Sequence, residues 1–356
     1  MTTTETRPAP APASGRNGRG PVTPVRAGRR RLPGLALGLA AAVALFAVMI
    51  MVSLAIGTKE LSITEVWTGV VQPDDSYASV VVETRIPRTV LGVVAGASLA
   101  VAGVLIQGIT RNPLGDPGLL GVNAGASAAI VTGMAFFGLG AAPVWVAIPG
   151  AFAAVAVVYV VGSGRGGASP LRLVLAGAVV NAVLVAYIEA VALTNPSTFD
   201  TYRFWVIGSL SGRGFDVIAA VLPVAVAGLL LTVILLPGLN ALALGDETAH
   251  ALGAPTTVIR IGGAAGATML SAAATAACGP IAFVGLAVPH IVRPFVGTDH
   301  RWLVPYCAAL GPVLLLGADV IGRVVARPGE LMVGVVIAFI GAPMLMLTVR
   351  RLKGSA

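Results

Sequence analysis

An enzyme needs a nucleophile, a base or a metal site at workable spacing, and few residues of this chain qualify. His250, His290 and His300 are scattered, with no second histidine four residues away and no acid at metal-ligand spacing. Cys278 and Cys307 each sit in an apolar stretch, which indicates neither a metal cluster, nor a disulfide framework, nor redox chemistry. The paired acids, Asp74-Asp75 and Asp246-Glu247, fall in polar segments where solvated surface is the simpler reading. A phosphate-binding loop needs a lysine after a glycine, and neither Lys59 nor Lys353 follows one, so the chain does not hydrolyse ATP by that route. Two acids remain inside apolar stretches, Glu189 and Asp319. Exposure to lipid costs such a group several kcal/mol, so each must face protein or water, or carry a proton. A hydrogen-bonded structural acid and the proton or cation site of an ion-coupled secondary transporter are both open, although no matching basic relay lies in the same stretches.

Composition decides what must position these residues. The 356 residues are 56% hydrophobic and 11% charged, with a mean hydropathy of +0.92. Soluble globular proteins carry about 25% charged residues, so an ordinary cytosolic enzyme, a disordered protein and a nucleic-acid-binding domain are excluded. The net charge of +8 does not point to nucleic acid either, because its placement is uneven. Arg7, Arg16, Arg19, Arg26, Arg29, Arg30 and Arg31 precede Leu32 against the single acid Glu5, the pattern of a cytoplasmic membrane flank. Residues 1–31, rich in Pro, Ala, Thr, Gly and Arg, are expected to form a disordered cytoplasmic arm. The apolar run that follows is too long for a signal peptide and reads as a retained first transmembrane helix.

A bilayer core of about 30 Å asks for about 20 apolar residues per helix. On those terms the chain offers ten spans, near 33–56, 88–110, 118–138, 143–161, 171–194, 216–236, 257–278, 281–296, 302–325 and 331–350. The fold class is therefore all-α, a polytopic bundle over 32–352 with a short tail at 353–356. Its 45 glycines allow close helix approach. The N-terminal arm places both termini inside, while the later loops barely discriminate. Gly and Pro break the pattern at Arg111 through Gly118, ahead of Leu120 through Ala126, and again at Gly279-Pro280, ahead of Phe283 through His290. Paired breaks of this kind suggest an inverted repeat, here 88–194 against 257–350, with a pathway between the halves. One polar insert, Leu239 to Gly253, has leucines and alanines on one face and Asp246, Glu247 and His250 towards another. A membrane-surface connector and a plug for a partner protein fit it equally well.

Taken together, these stretches resemble the FecCD or type II permease subunits of ABC importers for iron-siderophore, haem and cobalamin. The resemblance covers about residues 35–352. It rests, in order, on Arg85-Ile86-Pro87-Arg88, Gln107 with Asn112-Pro113-Leu114, Gly121 through Ala126 including Gly125, and Trp205 with Gly208-Ser209-Leu210. It continues through Leu244-Gly245-Asp246 to Leu252-Gly253, Gly279 through Arg293 including Pro280 and Pro289, Asp319 to Arg323, Glu330 with Gly334, and Gly341-Ala342-Pro343. The resemblance implies a ten-helix permease in a bacterial cytoplasmic membrane that pairs with an identical or related second permease subunit. It also implies two cytoplasmic ATPase subunits, which carry the ATP and Mg2+, and an extracytoplasmic substrate-binding protein. No cofactor or metal is implied in this chain. Residues 239–254 would form the coupling helices, with Leu244, Gly245, Asp246, Glu247, His250, Leu252 and Gly253 at the ATPase. Arg85, Arg88 and Arg323, with Arg327 as an addition, would dock acidic residues of the binding protein. Gln107, Asn112, Pro113, Gly121, Gly125, Gly279, Pro280 and Pro289 would shape the pathway and its helix breaks.

Overall fold

A computed structural model describes residues 32–139, 144–164, 167–168 and 170–353; the basic arm and the last residues of the tail lie outside these. The chain is helical: α1 (Leu32–Ala55), α2 (Ile63–Val71), α3 (Tyr77–Thr110), α4 (Val122–Phe137), α5 (Val144–Gly162), α6 (Pro170–Thr194) and α7 (Pro196–Val206) come first. Then follow α8 (Phe215–Ala243), α9 (Asp246–Ala251), α10 (Thr256–Cys278), α11 (Val284–Val296), α12 (His300–Val325) and α13 (Val333–Lys353). A two-residue antiparallel pair, Ser163–Gly164 with Gly167–Ala168, closes the turn between α5 and α6. Among the described residues, seven helices are long and apolar enough to cross a membrane, and α4, α11 and α13 supply three shorter apolar ones. The ten expected spans are thus all helices, and α2, α7 and α9 are additions.

Burial separates centre from periphery. In the most apolar stretch of α3 and of α10, 78% of residues are buried, against 6% in α1. The central helices touch through small residues. A Cβ placed on Gly103 of α3 would collide with the Gly285 carbonyl of α11, and one on Gly311 of α12 with the Gly96 carbonyl of α3. Without a hydrophobic force between helices in lipid, such backbone contact is the main source of packing energy. The peripheral helices keep large apolar side chains outward, for example Leu37, Leu193 and Ile234.

Two departures from the expected boundaries have local causes. α3 begins at Tyr77 rather than 88, capped by Ser76, whose side chain accepts from the Ser79 N–H. It runs through Pro87, so the Arg85-Ile86-Pro87-Arg88 stretch is helix and not the preceding loop. The polar insert is not one amphipathic helix, since Leu239 to Ala243 finish α8 and only Asp246–Ala251 form α9. α2 starts with a capping box in which Ser62 and Glu65 exchange hydrogen bonds. The Ser62 side chain and backbone hold the Glu65 carboxyl below the usual carboxylate range.

The helix breaks sit at opposite ends of the bundle. Arg111 ends α3 with φ +50 beside α9, and Phe283 precedes α11 with φ +69 at the far end. Backbone freed by these breaks is recovered by side chains. Asp116 accepts from the Gly118 N–H at 2.8 Å, the Asn181 amide donates to the Gly118 carbonyl at 3.1 Å, and Gln107 donates to the Gly285 carbonyl at 3.1 Å.

Gly103→Val should separate α3 from α11 and cost about 3 kcal/mol, whereas Gly34→Ala, where nothing lies within 4 Å, should be neutral. Thermal unfolding of the two purified variants in detergent reads the difference; equal melting temperatures would remove the close crossing as a source of stability.

Candidate functional site

The first site lies at the end away from α9, where α1, α3 and α12 meet. Asp319 of α12 is 1% exposed and takes both Arg88 and Arg323. The Arg88 Nε and Nη2 reach it at 3.1 and 2.9 Å, and the Arg323 Nη2 at 3.0 Å. One turn of helix separates Asp319 from Arg323, which puts them on one face. The second Arg88 amine, Nη1, meets Glu330 at 2.7 Å, joining the turn before α13 to the same cluster. Arg323 donates to the Ser53 carbonyl at 2.9 Å, and the Ser53 hydroxyl pairs with that of Thr89 at 2.9 Å. Two charge-assisted guanidinium contacts on the Asp319 carboxylate offset the desolvation that burial imposes.

Arg85 and Arg327 act differently, through backbone. Arg85 donates to the carbonyls of Leu54, Ala55 and Lys59 at 2.7, 3.0 and 2.6 Å, wrapping the end of α1. Arg327 donates to the Gly57 carbonyl and to Glu60 at 3.0 Å. In this state the three arginines expected at the docking surface are engaged within the chain: Arg85 is 8% and Arg323 2% exposed, and Arg88 holds two acids. Asp319, held by two guanidiniums, is a structural acid. Glu189 lies on the exposed side of α6, one and a half turns from its C-terminus.

The second site is the polar turn between α8 and α10. Gly245 and Gly253 adopt φ +108 and +73, conformations that suit glycine, and bracket α9. Both Asp246 oxygens accept from the Arg260 Nη2 at 2.8 Å, which pins α9 onto α10. His250 lies along the turn, with Nδ1 at 2.8 Å from the Asp246 carbonyl oxygen and Nε2 at 3.1 Å from the Thr256 hydroxyl. Ala249 is fully buried beneath them. Leu244 is 63% and Leu252 65% exposed, with Glu247 and His250 alongside. Asp246 and His250 thus brace the turn while their side chains stay open to solvent. Arg260 carries no signature in the sequence, because its partner lies 14 residues away, beyond any helical repeat.

The expected pathway residues divide into two groups. Gln107 and Pro113 line a cavity of about 230 Å3 at the α9 end, together with Arg111, Arg293 and His300. Asn112 accepts from the Leu114 N–H at 3.0 Å and shapes the turn there. Gly121 adopts φ +84 to start α4, and Gly125 and Gly279 lie where a Cβ would collide with the Gly150 and Trp205 carbonyls. Pro280 packs its carbonyl beside Gly208, and Pro289 is buried within α11. These five shape helix junctions.

Comparison with known proteins places this arrangement. The FecCD transport family model matches residues 45–351. The chain is 48% identical over 328 residues to the ferric enterobactin transport system permease protein FepD of Escherichia coli (strain K12), covering 90% of this chain and 95% of that protein. It is 38% identical over 275 residues to the probable siderophore transport system permease protein YfiZ of Bacillus subtilis (strain 168), covering 76% and 83% respectively. A solved structure described as an inward-facing conformation of a metal-chelate type ABC transporter aligns with a TM-score of 0.75 at 27% identity, covering 89% of this chain and 99% of that one.

Asp319→Ala would leave Arg88 and Arg323 facing each other without their shared counter-charge, at an expected cost of about 3–5 kcal/mol. Arg327→Gln, at a half-exposed pair, should cost under about 1 kcal/mol. Unfolding of both variants in detergent gives the ranking, and a wild-type midpoint for Asp319→Ala would show that the cluster does not hold α3 and α12 together.

Proposed function

This chain belongs to the FecCD transport family, and on that premise we propose that it carries ferric siderophores across a bacterial cytoplasmic membrane. It is the membrane-spanning permease subunit of an ABC importer, not an enzyme. The cargo assignment is supported by the siderophore permeases among its relatives. In this reading a second permease subunit, identical or related, closes the pathway. Two ATPase subunits bind the α9 end, and an extracytoplasmic binding protein delivers cargo to the other. ATP and Mg2+ reside on the ATPases, and this chain holds no cofactor of its own.

The observation that carries the coupling assignment is the α9 turn. Two exposed leucines flank a helix that is fixed to α10 by an ion pair and seated on a buried alanine. An apolar knob on a rigid base fits a groove and passes on rigid-body motion, whereas a solvated loop would yield. α1 starts and α13 ends on the α9 side, which supports placing that end and both termini in the cytoplasm. Closure of the ATPase pair on ATP would shift the turn, and the helices it bears on would open the pathway to one side at a time. An ion-coupled mechanism at Asp319 is disfavoured by the two guanidiniums that hold its carboxylate.

Replacing residues 244–253 with a Gly/Ser linker of equal length should leave membrane insertion intact and abolish co-purification of the ATPase. Full recovery of the ATPase with that variant would overturn the coupling assignment. Uptake driven by a proton gradient in vesicles containing this chain alone would overturn the permease reading itself.

A further inference from the structure

A groove of about 810 Å3 opens between α1 and the pair α11 and α12, at the end that carries α9. Its walls are apolar, with Gly34, Gly38 and Ala41 of α1 across from Ile291 and Phe295 of α11 and Leu310 of α12. Tyr306 also lines it and donates from its hydroxyl to the Leu35 carbonyl at 2.7 Å, so α1 is tied to α12 while the space beside the tie stays open. From Gly34 to Leu45 the groove follows α1 for about 17 Å, at 1.5 Å per residue. Half of a bilayer core of about 30 Å is about 15 Å, so the groove is one leaflet deep. A second opening adjoins it. Gly297 lines the groove, and the next residue, Thr298, lines the cavity of about 230 Å3 that holds Arg111 and Arg293. Arg111 is exposed and Arg293 half-buried, and neither has a carboxylate partner among the described residues. The acid that follows Thr298, Asp299, is already engaged, accepting from the Asn240 amide at 2.7 Å and from the Arg301 N–H at 3.0 Å. In sequence, Arg29, Arg30 and Arg31 directly precede Leu32, the first residue of α1.

The two adjoining spaces ask for an occupant that is apolar over the depth of one leaflet and anionic at the membrane surface. Volume over length gives the groove a mean cross-section of about 50 Å2, below the roughly 80 Å2 of even a thin helix with its side chains. A helix from a second copy or from another protein therefore does not fill it. A free oxyanion would satisfy the guanidiniums and leave the groove empty. Basic pockets between membrane helices at the cytoplasmic surface receive anionic lipid headgroups. We propose that the two spaces form a binding site for one anionic phospholipid. Its acyl chain lies in the groove along α1, and its phosphate passes the 297–298 turn to Arg111 and Arg293, whose planar guanidiniums suit phosphate oxygens. The lipid then completes the packing of α1, the most exposed of the seven long helices, against α11 and α12. The inference goes beyond the permease reading and holds whichever cargo is carried.

The test uses the full chain in detergent, stripped of lipid and titrated with dioleoyl phosphatidylglycerol or dioleoyl phosphatidylcholine, which share acyl chains and differ in net charge. Native mass spectrometry reads the lipid bound. The unmodified chain should hold one phosphatidylglycerol with about tenfold preference over phosphatidylcholine, as two arginines beside an anionic headgroup supply. The double variant Arg111→Gln/Arg293→Gln should erase that preference and leave phosphatidylcholine within about twofold, and Arg111→Lys/Arg293→Lys should keep most of it. Ala41→Phe fills the groove from an exposed position and should weaken both lipids several-fold. Equal affinity of the unmodified chain for the two lipids, an unchanged preference in the glutamine variant, or unchanged binding in Ala41→Phe would overturn the site. So would full displacement of the lipid by an equal concentration of glycerol 3-phosphate, which would make this a site for free phosphate. Loss of ATPase recovery in the glutamine variant with phosphatidylglycerol binding intact would assign the two guanidiniums to a partner's carboxylate and also overturn it.

Discussion

The constraint behind this structure is the absence of water in the hydrocarbon core, which obliges every charge and every interrupted backbone bond to find its partner within protein. Asp319 is the clearest case. A carboxylate one-hundredth exposed is tolerable because two guanidiniums and their own backbone and hydroxyl acceptors surround it. The same demand explains Gln107 at the Gly285 carbonyl and Asn181 at the Gly118 carbonyl. Polar side chains here repair breaks that glycine and proline make, and the repaired breaks let α3, α10, α11 and α12 approach closely enough to pack on bare backbone.

Much of the architecture is legible in hydropathy, because a span must be apolar over a fixed length. All ten expected spans are helices, and most of their limits fall within a few residues of those read from the chain. The misses share a cause. Short helices at the ends, α2, α7 and α9, lie outside the apolar stretches and are fixed by caps and tertiary contacts, such as the Ser62–Glu65 box and the Asp246–Arg260 pair. The span expected to start near 88 starts earlier, since Pro87 lies inside α3, whose cap at Ser76 is eleven residues before that proline.

Residue roles were less legible than the elements that carry them. Motif position alone suggested a docking task for Arg85, Arg88 and Arg323 and said nothing of the acceptors they find within the chain. Their acceptors come from Ser53, Leu54, Ala55, Lys59, Asp319 and Glu330, on separate parts of the chain. Likewise, a polar turn rich in Asp246, Glu247 and His250 looks like a charged contact surface, while its folded form ties Asp246 and His250 into bracing contacts and presents Leu244 and Leu252 beside them.

The fastening of α9 to α10 has a mechanical consequence. At 1.5 Å per residue, the 23 residues of α10 form a strut about 35 Å long. Its far tip abuts the 207–214 loop, where the Cys278 carbonyl accepts from the Ser209 N–H at 2.7 Å beside two glycines with φ near +79. A displacement imposed at one surface would therefore travel as thrust along a stiff rod to a pair of hinges at the other, with little lost to bending on the way. Such a linkage would let the end that bears the 207–214 loop register a displacement of the α9 turn without any change in the helices' own hydrogen bonds.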